Sequence, residues 1–138
     1  QGSANRLYWH DEGVGVPIGT GRGLEGAFLD TGANSSLMRP SGLTLLSPAE
    51  RTSAVQKKVG LGGAGGMVTR TEAEYPSLSF SIAGAPVRLS KVSMDMRDNQ
   101  GAALLGMDMV SQFDLFLLDF ETMRITVHRA APGAMPRR

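Results

Sequence analysis

Short apolar runs that alternate with polar positions, separated by glycine- and proline-marked turns, make up most of this chain. The cleanest is Ser77-Leu78-Ser79-Phe80-Ser81-Ile82, whose strict period of two predicts a strand with one buried face. Ala83-Gly84-Ala85-Pro86 turns it into a second alternating run over 87–92. The same reading predicts strands over 14–18, 24–29, 36–38, 54–59, 67–74, 102–105, 115–120 and 124–127. Pro17 places the first of these at a sheet edge or strand end, because proline has no N–H to give a ladder. Ser47-Pro48-Ala49-Glu50 is a capping box with proline at the first helical position, predicting helix to about Thr52. Residues 108–112 suit a second short helix with Asp108 as its cap. Many short strands with frequent turns predict an all-β fold, barrel or sandwich-like, with one or two short helices.

The ends read differently. Leu7, Tyr8 and Trp9 are apolar, but His10-Asp11-Glu12-Gly13 stops any element, so 4–13 is expected to be an N-terminal arm. Residues 97–101 read as a loop and 130–138 as a flexible tail, which leaves the folded domain at 14–129. Gln1-Gly2-Ser3 reads as a tag remnant and is left out of the fold.

One stretch carries candidate chemistry. Ala27-Phe28-Leu29 delivers Asp30 into a tight turn crowded by Thr31, Gly32, Ala33, Asn34, Ser35 and Ser36. A carboxylate after two apolar residues needs a reason, since acids are almost never buried unless paired. Gly32 permits close backbone approach, and Thr31 and Ser35 offer hydroxyls to the acid or the turn. The bland reading is that Asp30 caps its own turn.

Bulk composition narrows the field. The 138 residues suffice for one domain with a real core. With 14 basic against 13 acidic residues, nothing favours nucleic acid or an anionic membrane surface. No apolar run approaches a membrane span. The chain has no cysteine, which excludes disulfides and thiolate metal sites. His10 and His128 are the only histidines and lie far apart in sequence, so neither a metal site nor a serine nucleophile is expected.

The Gly60–Gly66 stretch formally contains the Gly-x-Gly-x-x-Gly of dinucleotide sites. That fingerprint needs a following helix and an acid about 20 residues on. Here 69–75 is β-branched and charged, Pro76 follows, and Arg88 stands where the acid belongs. No nucleotide or other cofactor is expected. A mobile hairpin tip is the better reading, with an ordinary turn as the alternative.

Asp30-Thr31-Gly32-Ala33 after two apolar residues resembles the active-site signature of the retropepsin-like aspartic proteases. Ala103-Leu104-Leu105-Gly106 followed by Met107-Asp108-Met109-Val110 is similar to the family's late strand and short helix. The glycine-rich hairpin lies between them, where the family carries its flap. These matches run in order over roughly residues 14–128. The resemblance implies a closed, β-barrel-like single lobe of the acid-protease type and an aspartic endopeptidase acting on extended polypeptide.

That chemistry needs two carboxylates, and none of the other candidate acids (Asp108, Asp114 and Asp119) is followed by Thr-Gly or Ser-Gly. The resemblance therefore implies a homodimer in which each chain gives one Asp30. Thr31 would then bond across the axis, Gly32 would contact substrate backbone, and Ala33 would pack beneath the pair. Gly62, Gly63, Ala64 and Gly65 would form the flap. Asp108 and Asp119 read as structural, with Asp119 facing solvent or an arginine. Met94, Met96, Met107 and Met109 read as core filler. The glycine-, alanine- and arginine-rich composition suggests a bacterial member, for which a periplasmic or membrane-anchored location is favoured. Two other readings stay open. One is a dimeric peptide-binding module with little turnover. The other is a monomeric domain whose Asp30 only caps its turn.

Overall fold

The period-two runs pair with one another. In the computed structural model, which describes residues 4–10, 13–96 and 101–129, Leu78, Phe80 and Ile82 are buried while Ser79 is exposed. Ten strands follow in chain order: β1 Tyr8–His10, β2 Gly13–Thr20, β3 Gly23–Leu29, β4 Leu37–Met38, β5 Val55–Gly63, β6 Gly66–Ile82, β7 Ala85–Met94, β8 Ala103–Leu105, β9 Leu115–Asp119 and β10 Arg124–His128. The fold is all-β. Its helical segments are a 3-10 stretch Pro40–Leu45, α1 Pro48–Thr52 and α2 Met107–Val110.

Eight strands form one sheet in the order β1-β2-β3-β8-β4-β7-β6-β5, and β9 with β10 forms a separate hairpin. Ile18 and Gly19 of β2 also pair with Ile82 and Ser81 of β6. The path of pairings thus returns to β2, and the apolar faces turn inward. Val16, Ile18, Leu78, Ile82, Leu105 and Met109 are the heart of the core, each at most 1% exposed. The β3–β8 and β4–β7 contacts are parallel, whereas their neighbours are antiparallel.

Several expectations are corrected here. Pro17 is not on an edge strand: β1 pairs with Gly13–Gly15 and β6 with Ile18 and Gly19, so Pro17 falls in the gap between them. The predicted strands at 67–74 and 77–82 are one 17-residue strand, β6, which runs through Pro76. Its first half pairs with β5 and its second with β7, and the β6–β7 register skips Pro76, which has no N–H to donate. The 3-10 stretch Pro40–Leu45 brings the short helices to three, because Pro40 is set for a first helical position after extended Arg39. No side chain caps it, so it left no capping signature to read.

The N-terminal segment is no detached arm. Leu7 is buried, its N–H donates to the Met123 carbonyl at 2.9 Å, and the Ile125 N–H donates to the Asn5 carbonyl at 2.9 Å. Tyr8 lies over Gly15 and Gly26, where a Cβ on either glycine would overlap the ring. Those two glycines make the shelf that docks β1. The loop expected over 97–101 falls outside the described residues except for Gly101, as do Asp11, Glu12, the tail 130–138 and the tag remnant.

The capping box is realised at α1: the Glu50 N–H donates to Ser47 Oγ at 3.1 Å, and the Ser47 N–H donates to Glu50 Oε1 at 3.0 Å. Glu50 Oε2 also accepts the Ser79 N–H at 3.2 Å, tying the helix to β6. Ser47→Ala is expected to cost about 1 kcal/mol in a urea titration, with an unchanged denaturant slope.

Candidate functional site

Phe28 is buried at the end of β3, and the chain then leaves the sheet so that Asp30 is exposed. The dry setting expected for this carboxylate is therefore absent in the single chain. Rigidity is present. The Asp30 N–H donates to the Leu105 carbonyl at 2.8 Å, and Asp30 Oδ1 accepts the Gly32 N–H at 2.9 Å. The Ala33 N–H closes the turn on the Asp30 carbonyl at 3.1 Å, while the Ala33 carbonyl accepts the Met107 N–H at 2.8 Å. Thr31 and Gly32 are exposed beside the carboxylate, and Ala33 is half-buried behind it.

A second layer holds the first. Ser36 is 3% exposed, and its Oγ donates to Asp108 Oδ1 at 2.6 Å while accepting the Gly106 N–H at 2.9 Å. The Ser36 N–H donates to Asp108 Oδ2 at 2.9 Å. The peptide joining Leu105 to Gly106 is thus gripped from both sides, through its carbonyl by Asp30 and through its N–H by Ser36. Gly106 is required for this approach: a Cβ there would lie 2.7 Å from the Ala33 carbonyl oxygen and 3.0 Å from that of Ser35. Asp108 is not the helix cap it was expected to be, since Gly106 occupies that position. Its carboxylate instead bridges to Ser36, 72 positions away in sequence. Only the crowding of small polar residues after Asp30 could have singled out Ser36.

The glycine-rich hairpin is longer and its tip tighter than the sequence suggested. β5 and β6 stay paired to Gly63 opposite Gly66, so Gly62 and Gly63 are strand residues and only Ala64 and Gly65 turn. All of 60–70 is exposed. At the hairpin base a cavity of about 630 Å³ is lined by Leu37, Gln56, Arg70, Glu72, Met94 and Asp95 among others. One register row links this region to the Asp30 strand: Phe28 faces Leu104, Leu104 faces Leu37, Leu37 faces Ser93, and Ser93 faces Glu74. Residues directly opposite share a sheet face, so this row is one continuous strip. Lys57 pairs with Glu74 at 3.1 Å and Arg70 pairs with Glu72, which balances charge at the hairpin base.

Asp119 faces solvent, in line with the expectation, and also closes its own turn. The Thr122 hydroxyl donates to it at 2.7 Å, and the Thr122 and Glu121 N–H groups donate at 3.1 and 2.9 Å. These bonds, the Thr122 hydroxyl first, hold its carboxyl below the ordinary carboxylate range. A lowered native pKa stabilises above the unfolded value and is lost as pH falls through the native one. Asp119→Asn is therefore expected to flatten the acid end of a stability–pH curve, read from urea midpoints below the usual carboxylate range.

Met94 and Met109 are buried as core filler, whereas Met96 and Met107 are exposed, contrary to expectation. Among the described residues no group of three or more His, Cys, Asp or Glu side chains converges on a point, and no helix is long and apolar enough to cross a membrane. Chemically, the site offers one exposed carboxylate on a hydrogen-bonded turn, a strip that starts apolar at Phe28, Leu104 and Leu37 and ends on Ser93 and Glu74, and a long hairpin. No model of a known protein family matches this chain, and no curated protein matches it either.

Proposed function

We propose that this chain is an aspartic endopeptidase with a retropepsin-like lobe, active as a homodimer that brings Asp30 of two copies together. The observation that carries the reading is the Asp30 turn. It is bonded to the end of β8 through the Leu105 carbonyl while its carboxylate stays exposed with one N–H donor. A lone turn-capping acid would not need the further grip of Ser36 and Asp108 beneath it.

Two carboxylates about 3 Å apart cannot both ionise and so share a proton. The ionised one takes a proton from water, which attacks the scissile carbonyl, and the protonated one donates to that carbonyl's oxygen. Exposure in the single chain fits this role, because the partner's turn would cover the acid. Thr31 bonds across the axis, Gly32 lets the substrate backbone approach, and Ala33 supports the pair from behind. The substrate is an extended polypeptide that adds to the protein as a strand, with side chains over the Leu104–Leu37–Ser93 strip. The hairpin carrying Gly62, Gly63, Ala64 and Gly65 closes over it and excludes water.

Cleavage of a peptide library, read by mass spectrometry between about pH 4 and 7, tests this reading. The expected result is cutting that fades as pH rises and grows faster than linearly with protein concentration. Peptide binding without cutting would leave a binding module of the same architecture. A monomer with neither property would reduce Asp30 to a turn cap.

A further inference from the structure

We propose that a shallow cleft between α1 and the β6–β7 pair binds an isolated carboxylate carried by a polypeptide. The cleft encloses about 520 Å³ and is lined by Glu50, Pro76, Ser77, Ser79 and Arg88 among others. It shares no residue with the Asp30 turn, with Ser36 and Asp108, or with the glycine-rich hairpin tip. The proposal therefore does not rest on the endopeptidase reading.

The strand ladder builds the recognition group. Ser79 of β6 stands directly opposite Arg88 of β7, and Ser77 follows two residues along on the same face. The alternate residues Leu78, Phe80, Val87 and Leu89 are buried, so these three side chains project outward together. Arg88 is fixed before anything binds. Its N–H donates to Gln112 Oε1 at 3.3 Å, and its carbonyl accepts from Gln112 Nε2 at 2.7 Å. At the other end of the side chain, its Nε–H donates to Ser77 Oγ at 2.8 Å. An arginine held at both ends has less freedom to lose when it takes a ligand. With Nε engaged, the two terminal nitrogens are left side by side, the fork that meets both oxygens of a carboxylate. Ser77 Oγ accepts from Arg88 and keeps its own proton to donate, and the Ser79 hydroxyl adds a second donor one rung away.

Charge selects the occupant. Arg88 belongs to neither ion pair found among the described residues, Lys57–Glu74 and Arg70–Glu72. Glu50 is the one acid among the described residues that line the cleft, and both its oxygens are engaged. Oε1 accepts the Ser47 N–H at 3.0 Å and Oε2 accepts the Ser79 N–H at 3.2 Å. Glu50 is thus no direct partner for the guanidinium, yet its charge on the same wall opposes a second negative charge. A singly charged carboxylate suits that balance better than a phosphate dianion. The cleft is much larger than a small ion needs, and Ala49 and Pro76 give it apolar walls. The carboxylate therefore arrives on a chain segment, as an acidic side chain or as a chain end.

Amide NMR titration of the whole chain tests the site with three peptides. One is acetyl-Gly-Glu-Gly-amide, one is acetyl-Gly-Gly-Gly with a free carboxyl end, and one is acetyl-Gly-Gln-Gly-amide. Saturable shifts at Ser77, Ser79 and Arg88 are expected with a carboxylate peptide and not with the glutamine peptide. A response to the first peptide names an acidic side chain as the source, a response to the second names a chain end, and either upholds the proposal. Arg88→Gln, at an exposed position, is expected to keep the thermal midpoint and weaken binding at least about tenfold. Ser79→Ala leaves Arg88 and its bonds in place and is expected to weaken binding by a smaller factor. Glu50→Gln keeps a capping residue for α1 and is expected to tighten carboxylate binding and admit inorganic phosphate. Shifts that persist in Arg88→Gln, affinity unchanged in Ser79→Ala, or an equal response to the glutamine peptide overturn the proposal. So does the absence of saturable shifts with both carboxylate peptides. A wild-type preference for inorganic phosphate over these peptides overturns it as well, leaving an adventitious ion only. A chain that shows the expected shifts and cuts no peptide keeps this site and loses the endopeptidase reading.

Discussion

Asp30→Asn is expected to lower peptide cleavage by about 10⁴-fold with little change in stability. A single acid–base group contributes about 10²–10⁴ in rate, and in the proposed homodimer the two copies of Asp30 would act as one proton-sharing unit. Both would be lost together in such a homodimer, which puts the expected effect at the top of that range. An amide can neither take a proton from water nor give one to the carbonyl. It can still accept the Gly32 N–H that Asp30 Oδ1 accepts at 2.9 Å, so the turn is preserved. The midpoint of urea unfolding should therefore move by no more than about 0.5 kcal/mol equivalent, as for an exposed substitution. Rates and midpoints measured on the same preparation check both halves. A residual rate within tenfold of wild type would remove Asp30 from the chemistry.

Gly106→Ala is expected to damage stability and turnover together. Its Cβ would meet the Ala33 and Ser35 carbonyl oxygens at 2.7 and 3.0 Å, and both belong to backbone that cannot swing aside. The Ala33 carbonyl is itself held by the Met107 N–H at 2.8 Å, so relief must come from parting the Asp30 turn and β8. Overpacking of this kind costs about 1–3 kcal/mol. A displacement of about 1 Å at a reacting group costs roughly 100-fold in rate. A lowered thermal midpoint and a cleavage rate down about 100-fold are the expected pair of results. A fully stable, fully active variant would show that the approach of these segments is dispensable.

The two predictions also separate what acts from what positions. Asp30 would alter chemistry and spare the fold; Gly106 alters the fold and reaches chemistry through it. Ser36 and Asp108 lie between these cases, because Ser36 accepts the Gly106 N–H and Asp108 holds Ser36 in place.

Much of the architecture is written in neighbouring residues. The period-two run over 77–82 announces its own buried face, Ser47 and Glu50 announce α1, and Asp30-Thr31-Gly32-Ala33 announces a tight turn at a strand end. Each of these depends on side chains within a few positions of one another, where local sterics and hydrogen bonding decide. Other features have no such local cause. Pro76 reads as a break, yet β6 runs through it because β7 and β5 grip the strand on either side. Residues 4–13 read as an arm, yet Gly15 and Gly26 leave a shelf for Tyr8, and β10 takes up the backbone of Asn5.

At the candidate site the division is the same. The sequence by itself singled out Asp30 as the candidate acid and placed it on a turn, because the apolar strand before it and the small residues after it are contiguous. Only the tertiary structure decided that Gly106 must be glycine and that Ser36 and Asp108, 72 positions apart, hold the segment behind the turn. Those depend on which distant segments the closing sheet presses together, and burial rewards such contacts without leaving a pattern in either segment alone.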